Sequence, residues 1–224
     1  MNFTEKEVAQ RIDHTFLKPD GKLSDIENLC EEALKYNFAA VAIAPDFVEY
    51  TAEKLADSNV DIIVVVGFPF GFNTTDTKVF EAREGLKKGA TEVDMVVNIS
   101  GVKDCRWDHV KKDISKVGEI TGDNILKVIF ETCYLSKSEI KELTKLCREI
   151  KQVDYIKTST GFGSQGATVE NVSLMKKMGG NDLKVKASGG IRNLDDFKYM
   201  ITAGASRIGT SSGVEIIEQV GVDG

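Results

Sequence analysis

Four charged side chains interrupt stretches that are otherwise apolar. Asp94 stands between Val93 and Met95, Lys127 between Leu126 and Val128, Lys157 directly after Ile156, and Lys186 between Val185 and Ala187. Side chains alternate across a strand. If the apolar neighbours meet helices, these four charges share the opposite, interior side. Charge does not enter a core for packing, so it must be compensated or used. One reading is a structural cluster of ion pairs; for Lys157 alone, another is a strand end whose ammonium snorkels to water. The other reading is chemical. Neighbouring strands lie about 4.8 Å apart, and a second ammonium roughly 5 Å from the first, at an effective dielectric near 20, opposes double protonation by about 3 kcal/mol. That is on the order of two pKa units, and desolvation acts in the same sense. A lysine treated in this way offers a neutral amine to a carbonyl, as Schiff-base chemistry requires. Asp94 would then shuttle protons.

Such residues need a frame that aims them at one point. The pattern predicts a short helix over 4–11, a strand over 12–15, and a capping box at Ser24-Asp25-Ile26-Glu27 opening an amphipathic helix. An apolar run over 39–45 ends at Pro45, and a helical stretch follows over 46–57. Strand and helix then alternate: strands over 61–67, 92–98, 125–131, 154–157, 183–188 and 206–210, with helices over 76–88, 108–119, 136–151, 168–178, 194–203 and 213–219. The strands are continuous apolar runs, which marks burial on both faces and hence a parallel sheet under helices. Eight such units without a linker predict an α/β fold, a single-domain (β/α)8 TIM barrel over 1–224. An open doubly wound sheet would place a glycine-rich turn after the first strand, and Asp13-His14-Thr15 is not one.

Two loops have the composition of anion cradles. Ser188-Gly189-Gly190-Ile191-Arg192 follows strand seven and Gly209-Thr210-Ser211-Ser212-Gly213 follows strand eight, where barrels of this type commonly hold phosphate. Gly189 and Gly190 let backbone N–H groups approach an anion, and Ser211 and Ser212 add hydroxyls. Ordinary turn chemistry accounts for either loop alone but less well for both together, which favours phosphate. Gly161-Phe162-Gly163-Ser164-Gln165-Gly166 matches a dinucleotide fingerprint but follows strand six rather than the first strand, so it reads as an active-site loop.

The net charge of −6 and pI near 5.1 argue against a general nucleic-acid binder. No apolar run is long enough to span a bilayer, and the N-terminus lacks the pattern of a signal peptide. Cys30, Cys105, Cys133 and Cys147 are scattered, with only His14 and His109 besides, so no structural zinc site is expected. A reduced, cytoplasmic protein follows. Cys105 and Trp107 at a helix start read as packing residues, as does Cys133.

Taken together, these segments resemble the deoxyribose-phosphate aldolases, class I Schiff-base aldolases on a (β/α)8 barrel. The resemblance runs through Ile12-Asp13-His14-Thr15, Val65-Val66-Gly67-Phe68-Pro69, Glu92-Val93-Asp94-Met95-Val96, Lys127-Val128-Ile129 with Glu131, 155–161, 166–170, 186–192 and 207–213. Lys-Thr-Ser-Thr-Gly at 157–161 and Lys-Ala-Ser-Gly-Gly at 186–190 are its most specific parts. It implies that Lys157 forms the Schiff base, that Asp94 donates and accepts protons, and that Lys186 is a second catalytic lysine. It also implies phosphate and substrate contacts from Gly161, Gly189, Gly190, Ser211 and Ser212, with Asp13 touching substrate or lysine; an N-cap role for Asp13 is the rival. Lys127 and Glu131 are expected to complete a charge network behind the site. The implied reaction is the reversible cleavage of 2-deoxy-D-ribose 5-phosphate to D-glyceraldehyde 3-phosphate and acetaldehyde, without metal or other cofactor. Homodimers are the implied assembly. The chain departs from the family pattern at Ala42 and Ala44, where many members have Cys and Asn, at Phe70-Gly71-Phe72, where many have Leu-Gly-Ala, and at Phe162, where some have lysine. Two rivals share parts of this reading: another phosphosugar enzyme on the same barrel, transaldolase-like or an isomerase, and a non-enzymatic sugar-phosphate-binding regulator.

Overall fold

The computed structural model describes residues 3–221, so the outermost positions of the expected 1–224 domain lie outside the described residues. Eight parallel strands, β1 (Ile12–Thr15), β2 (Ala40–Ile43), β3 (Asp61–Val66), β4 (Glu92–Val96), β5 (Ile125–Ile129), β6 (Val153–Lys157), β7 (Lys184–Ser188) and β8 (Arg207–Thr210), close into a barrel in sequence order. Closure is made by β8 on β1, with Asp13 opposite Gly209. Around it lie α1 (Glu5–Ala9), α2 (Leu23–Tyr36), α3 (Val48–Lys54), α4 (Thr75–Lys87), α5 (Ile99–Lys103), α6 (Trp107–Thr121), α7 (Lys137–Arg148), α8 (Val169–Gly179), α9 (Leu194–Thr202) and α10 (Gly213–Glu218).

The alternation that makes a strand two-faced divides the core in two. The main apolar cluster, which includes Val41, Ile43, Val64, Val93, Val128, Ile156, Val185 and Ile208, fills the layer between strands and helices. A much smaller cluster, Ala40, Ala42 and Ile63, is separate from it. The remaining interior is given largely to buried charge: Asp13, Glu92, Asp94, Lys127, Lys157, Lys186 and Arg207.

Local chemistry sets the element ends. Ser136 and Glu139 form the expected reciprocal cap at the start of α7. The box expected at 24–27 is not used: α2 begins earlier, because the Asp25 carboxylate already accepts the Lys22 N–H at 2.7 Å. The helix expected over 46–57 divides into a 3-10 turn, Pro45–Phe47, and the shorter α3. The short α5 was not expected, although Asn98 caps it by accepting the Gly101 N–H at 2.8 Å. Trp107 packs on the core at the start of α6. Cys105, expected to pack, is instead exposed and adopts φ 55° in the turn before α6.

One buried ion pair ties the helical layer to the barrel. Lys78 on α4 donates to Asp113 on α6 at 2.6 Å and to the Val96 carbonyl of β4 at 2.9 Å, and Asp113 also accepts from Thr75 at 2.8 Å. Both charged side chains are buried. Asp113→Ala leaves the ammonium without its acid, a change that costs about 3–5 kcal/mol. The melting temperature of that variant should fall by about 10 °C, at roughly 2–4 °C per kcal/mol for a chain of this size; a thermal scan by circular dichroism measures it.

Candidate active site

The buried charges form a ring. Arg207 grips Asp13, its Nε donating at 2.5 Å. The other Asp13 oxygen lies 2.5 Å from Lys186 Nζ, and Lys186 donates to Asp94 Oδ2 at 2.8 Å. Asp94 Oδ1 lies 3.1 Å from Lys127 Nζ, Lys127 pairs with Glu92, and Glu92 Oε1 accepts from Arg207 Nη1 at 3.3 Å. Six groups of alternating sign thus close on themselves, and each cation in the ring meets two carboxylates. Lys157 hangs outside the ring, on Asp94 Oδ2 alone, at 2.8 Å. Because one oxygen accepts from both Lys157 and Lys186, their nitrogens are at most two hydrogen-bond lengths apart.

The strands place these groups by register. Asp94 is opposite Lys127 across β4 and β5, Lys157 opposite Lys186 across β6 and β7, and Lys186 opposite Arg207 across β7 and β8. A bulge sets the phase of β6: Leu126 of β5 pairs with Val153 and Lys127 with Tyr155, so Asp154 is the extra residue. Its carboxylate takes the Leu126 N–H at 2.9 Å, and its side chain faces solvent while Tyr155 and Lys157 turn inward. Gly209 makes room for the second lysine, since a Cβ there would come within 3.0 Å of Lys186 Cε.

These contacts fix protonation. Burial alone would raise the Asp94 carboxyl, but Lys127, Lys157 and Lys186 override it and hold it well below the usual carboxylate range. Burial lowers Lys127 too, and Asp94 and Glu92 more than restore it. At Lys157 burial is again the largest influence. Asp94 opposes it, the Lys186 ammonium assists it, and the balance leaves Lys157 at about 8. Desolvation, rather than the neighbouring ammonium that sequence reasoning put first, is the main cause. At neutral pH about one tenth of Lys157 is then a free amine, against roughly one in 2,500 for an unperturbed lysine.

Of the seven buried charges, Lys157 alone lines the cavity above them. That cavity, of about 290 Å³, is walled by the loops after β1, β6, β7 and β8. Gly161, Gly189, Gly190 and Ser211 all line it. Ser212 does not; its N–H donates to Thr210 Oγ1 at 2.9 Å, and it stands at the first turn of α10 without a side-chain cap bond. Asp13, expected to touch substrate or lysine or else to serve as an N-cap, is fully buried in mid-strand, where it meets Lys186 and Arg207, and is not among the cavity's lining residues. Glu131 lies apart from the Lys127 network. It accepts the Thr160 N–H at 3.3 Å and the Thr160 hydroxyl, and burial pushes its carboxyl up.

Gly166 has a packing reason for being glycine in the motif 161–166. A Cβ on it would sit 2.1 Å from the Gly189 carbonyl. The next N–H, of Ala167, donates to both Ser188 and Gly189 at 3.0 Å. The loops after β6 and β7 are therefore joined backbone to backbone.

Four charged residues escaped sequence reasoning. Glu92 and Arg207 open their strands, where a charge ordinarily turns to water, yet both are buried. Lys18 and Arg192, from loops far apart in the chain, both line the cavity. With Lys157 they give that cavity three cationic side chains and no acidic one, in a chain of net charge −6. Phe162 also lines it, packed edge-on to Phe68 at 5.4 Å, whereas Phe70 and Phe72 stack on each other and border a neighbouring apolar hollow. No group of three His, Cys, Asp or Glu among the described residues is arranged to hold a metal ion. None of the described helices is long and apolar enough to cross a membrane.

The sequence profile of the DeoC/LacD family aldolases matches residues 7–219. A deoxyribose-phosphate aldolase of Staphylococcus carnosus is 50% identical over 212 residues, which are 95% of this chain and 96% of that protein. Among solved structures, one described as a putative deoxyribose-phosphate aldolase from Coccidioides immitis superposes with a TM-score of 0.95 at 41% identity, over 98% of this chain and 87% of the other. The deoxyribose phosphate aldolase of Aeropyrum pernix, described as a tetramer, superposes with a TM-score of 0.88 at 32% identity, over 96% and 91%. With an aldolase profile spanning nearly its full length and a buried, partly neutral lysine at the floor of its cavity, the chain belongs to the DeoC/LacD family of aldolases.

Proposed function

We propose that this aldolase reversibly cleaves 2-deoxy-D-ribose 5-phosphate to D-glyceraldehyde 3-phosphate and acetaldehyde, with Lys157 as the Schiff-base residue. The observation that carries the assignment is the lowered lysine itself: Lys157 is held at about 8 and alone joins the buried charges to the cavity. Its neutral amine adds to the substrate aldehyde. Loss of water from the adduct leaves a protonated imine at the first carbon, which draws electrons from the bond between the second and third carbons. As that bond breaks, the hydroxyl next to it loses its proton and becomes the aldehyde of glyceraldehyde 3-phosphate. The enamine left on Lys157 takes up a proton at carbon, and water then releases acetaldehyde and the free amine.

Asp94 accepts from both Lys157 and Lys186 through one oxygen, so a proton can pass between the two nitrogens without displacing a heavy atom. This supports Asp94 as the acid/base group and Lys186 as its partner in the relay. The anion end is supported by the Gly189 and Gly190 backbone, at φ 85° and 81°, with Ser211, Lys18 and Arg192 around it. Helix-dipole and nest geometry favour phosphate there. Two copies of the chain per assembly are proposed from the family resemblance, and the tetrameric relative makes a larger assembly the outcome to compare by sedimentation.

Acetaldehyde with borohydride should leave a reduced two-carbon adduct on Lys157, found by peptide mapping; an adduct on another lysine, or none, would defeat the assignment. Because the protonated amine cannot attack, kcat/KM should fall about tenfold per pH unit below a limb near pH 8 and level off above it. Lys186→Leu removes one influence that lowers Lys157, so this limb should move to higher pH while turnover drops by at least about 100-fold. Lys18→Met combined with Arg192→Met should raise KM for the phosphorylated sugar about 10-fold or more. For unphosphorylated 2-deoxyribose the same pair should leave kcat/KM unchanged.

A further inference from the structure

We propose that Arg207 and Glu92, neither of which reaches the cavity, are positioning residues that set the protonation of Lys157 by keeping the charge ring electrically closed; this rests on Lys157 being the reacting amine. The ring Arg207, Asp13, Lys186, Asp94, Lys127 and Glu92 holds three cations against three carboxylates. It is neutral without Lys157. Every ring cation touches two carboxylates, whereas Lys157 touches one that it shares with Lys127 and Lys186. A protonated Lys157 is therefore the surplus charge of a buried cluster. Losing its proton restores balance, while losing any other proton would break two ion contacts.

The far side of the ring determines whether that surplus exists. Arg207 occupies both Asp13 and Glu92, and its guanidinium stays charged at all working pH values. Without it, those carboxylates would carry negative charge that only Lys127, Lys186 and Lys157 remain to offset, and Lys157 would keep its proton. Without the Glu92 carboxylate the excess grows, and Lys157 would release its proton more readily. The other ionisable groups facing the cluster do not alter this count. Tyr155 on β6 presents its ring to Lys127 at 5.8 Å; Glu131 hydrogen-bonds Thr160 and acts on Lys157 only through its charge, which is the same in every variant compared below. Charges two or three contacts away in a site of effective dielectric near 20 still move a titration by about one pH unit.

The opposite signs make the test selective. The limb in the pH profile of kcat/KM, and of borohydride trapping by acetaldehyde, should move up by about one unit in Arg207→Met and down by about one unit in Glu92→Gln. The double variant, which removes one charge of each sign, should return to within a few tenths of the wild-type limb, and Arg207→Lys should resemble wild type. Loss of packing alone lowers kcat without moving the limb in opposite directions. Should Arg207→Met not fold in a thermal scan, Glu92→Gln and the double variant carry the same comparison. Limbs that stay together, or single variants that shift the same way, overturn the inference while trapping on wild-type Lys157 leaves the aldolase assignment intact. Absence of trapping on wild-type Lys157 sinks both.

Discussion

The site depends on one carboxylate that three ammonium groups share. Asp94 is fully buried, and Lys127, Lys157 and Lys186 all reach it. An isolated carboxylate could not remain ionised there. Three cations around one anion are equally unfavourable unless other anions relieve them, and Asp13 and Glu92 do so from below. The barrel supplies the geometry for this compensation. Parallel strands in fixed register bring side chains from β1, β4, β5, β7 and β8 together inside the closed barrel. Only the sixth strand, shifted by the bulge at Asp154, carries its lysine up to the opening.

The same interior explains why stability and chemistry are distributed differently here. Apolar packing is almost wholly outside the strands, in the cluster that runs between sheet and helices. Inside, Ala40, Ala42 and Ile63 on β2 and β3 fill one flank, and the buried charges occupy much of the remainder. Buried ion pairs of this kind are costly relative to a hydrophobic core of equal volume. Their presence is better understood as specification of proton positions than as support for the fold. The Lys78–Asp113 pair in the helical layer is a separate case, since it joins two helices to the end of β4 and touches no member of the ring.

Much of this was legible in the sequence because each unit repeats one simple signal. Doubly buried runs such as Ile62-Ile63-Val64-Val65-Val66 announce parallel strands, and Ser136 with Glu139 announces a helix start. Asp94, Lys127, Lys157 and Lys186 stood out because charges flanked by apolar residues are anomalous. Arg207 and Glu92 did not, since a charge at the first residue of a strand is ordinarily solvated and only closure of the barrel reveals that these two are not. Asp13 was legible as important but not in its position, because the strand register that sets it beside Gly209 depends on how the last strand returns to the first. Lys18 and Arg192 are separated by most of the chain, and no local pattern brings them together. Glu131 followed the strand of Lys127 closely enough to be grouped with it, yet its φ of 54° turns it away toward Thr160.

The doubled hydrogen bond from Ala167 across to Ser188 and Gly189 bears on how the cavity receives its guest. Two walls that are already stitched together have little conformational freedom to surrender on occupation, so the binding energy of the sugar need not be diverted into ordering them. Such an entrance behaves as a rigid frame rather than a closing jaw. Discrimination among acceptor aldehydes then falls to the fixed outline of the opening, to which Phe16 and Phe162 contribute the aromatic walls.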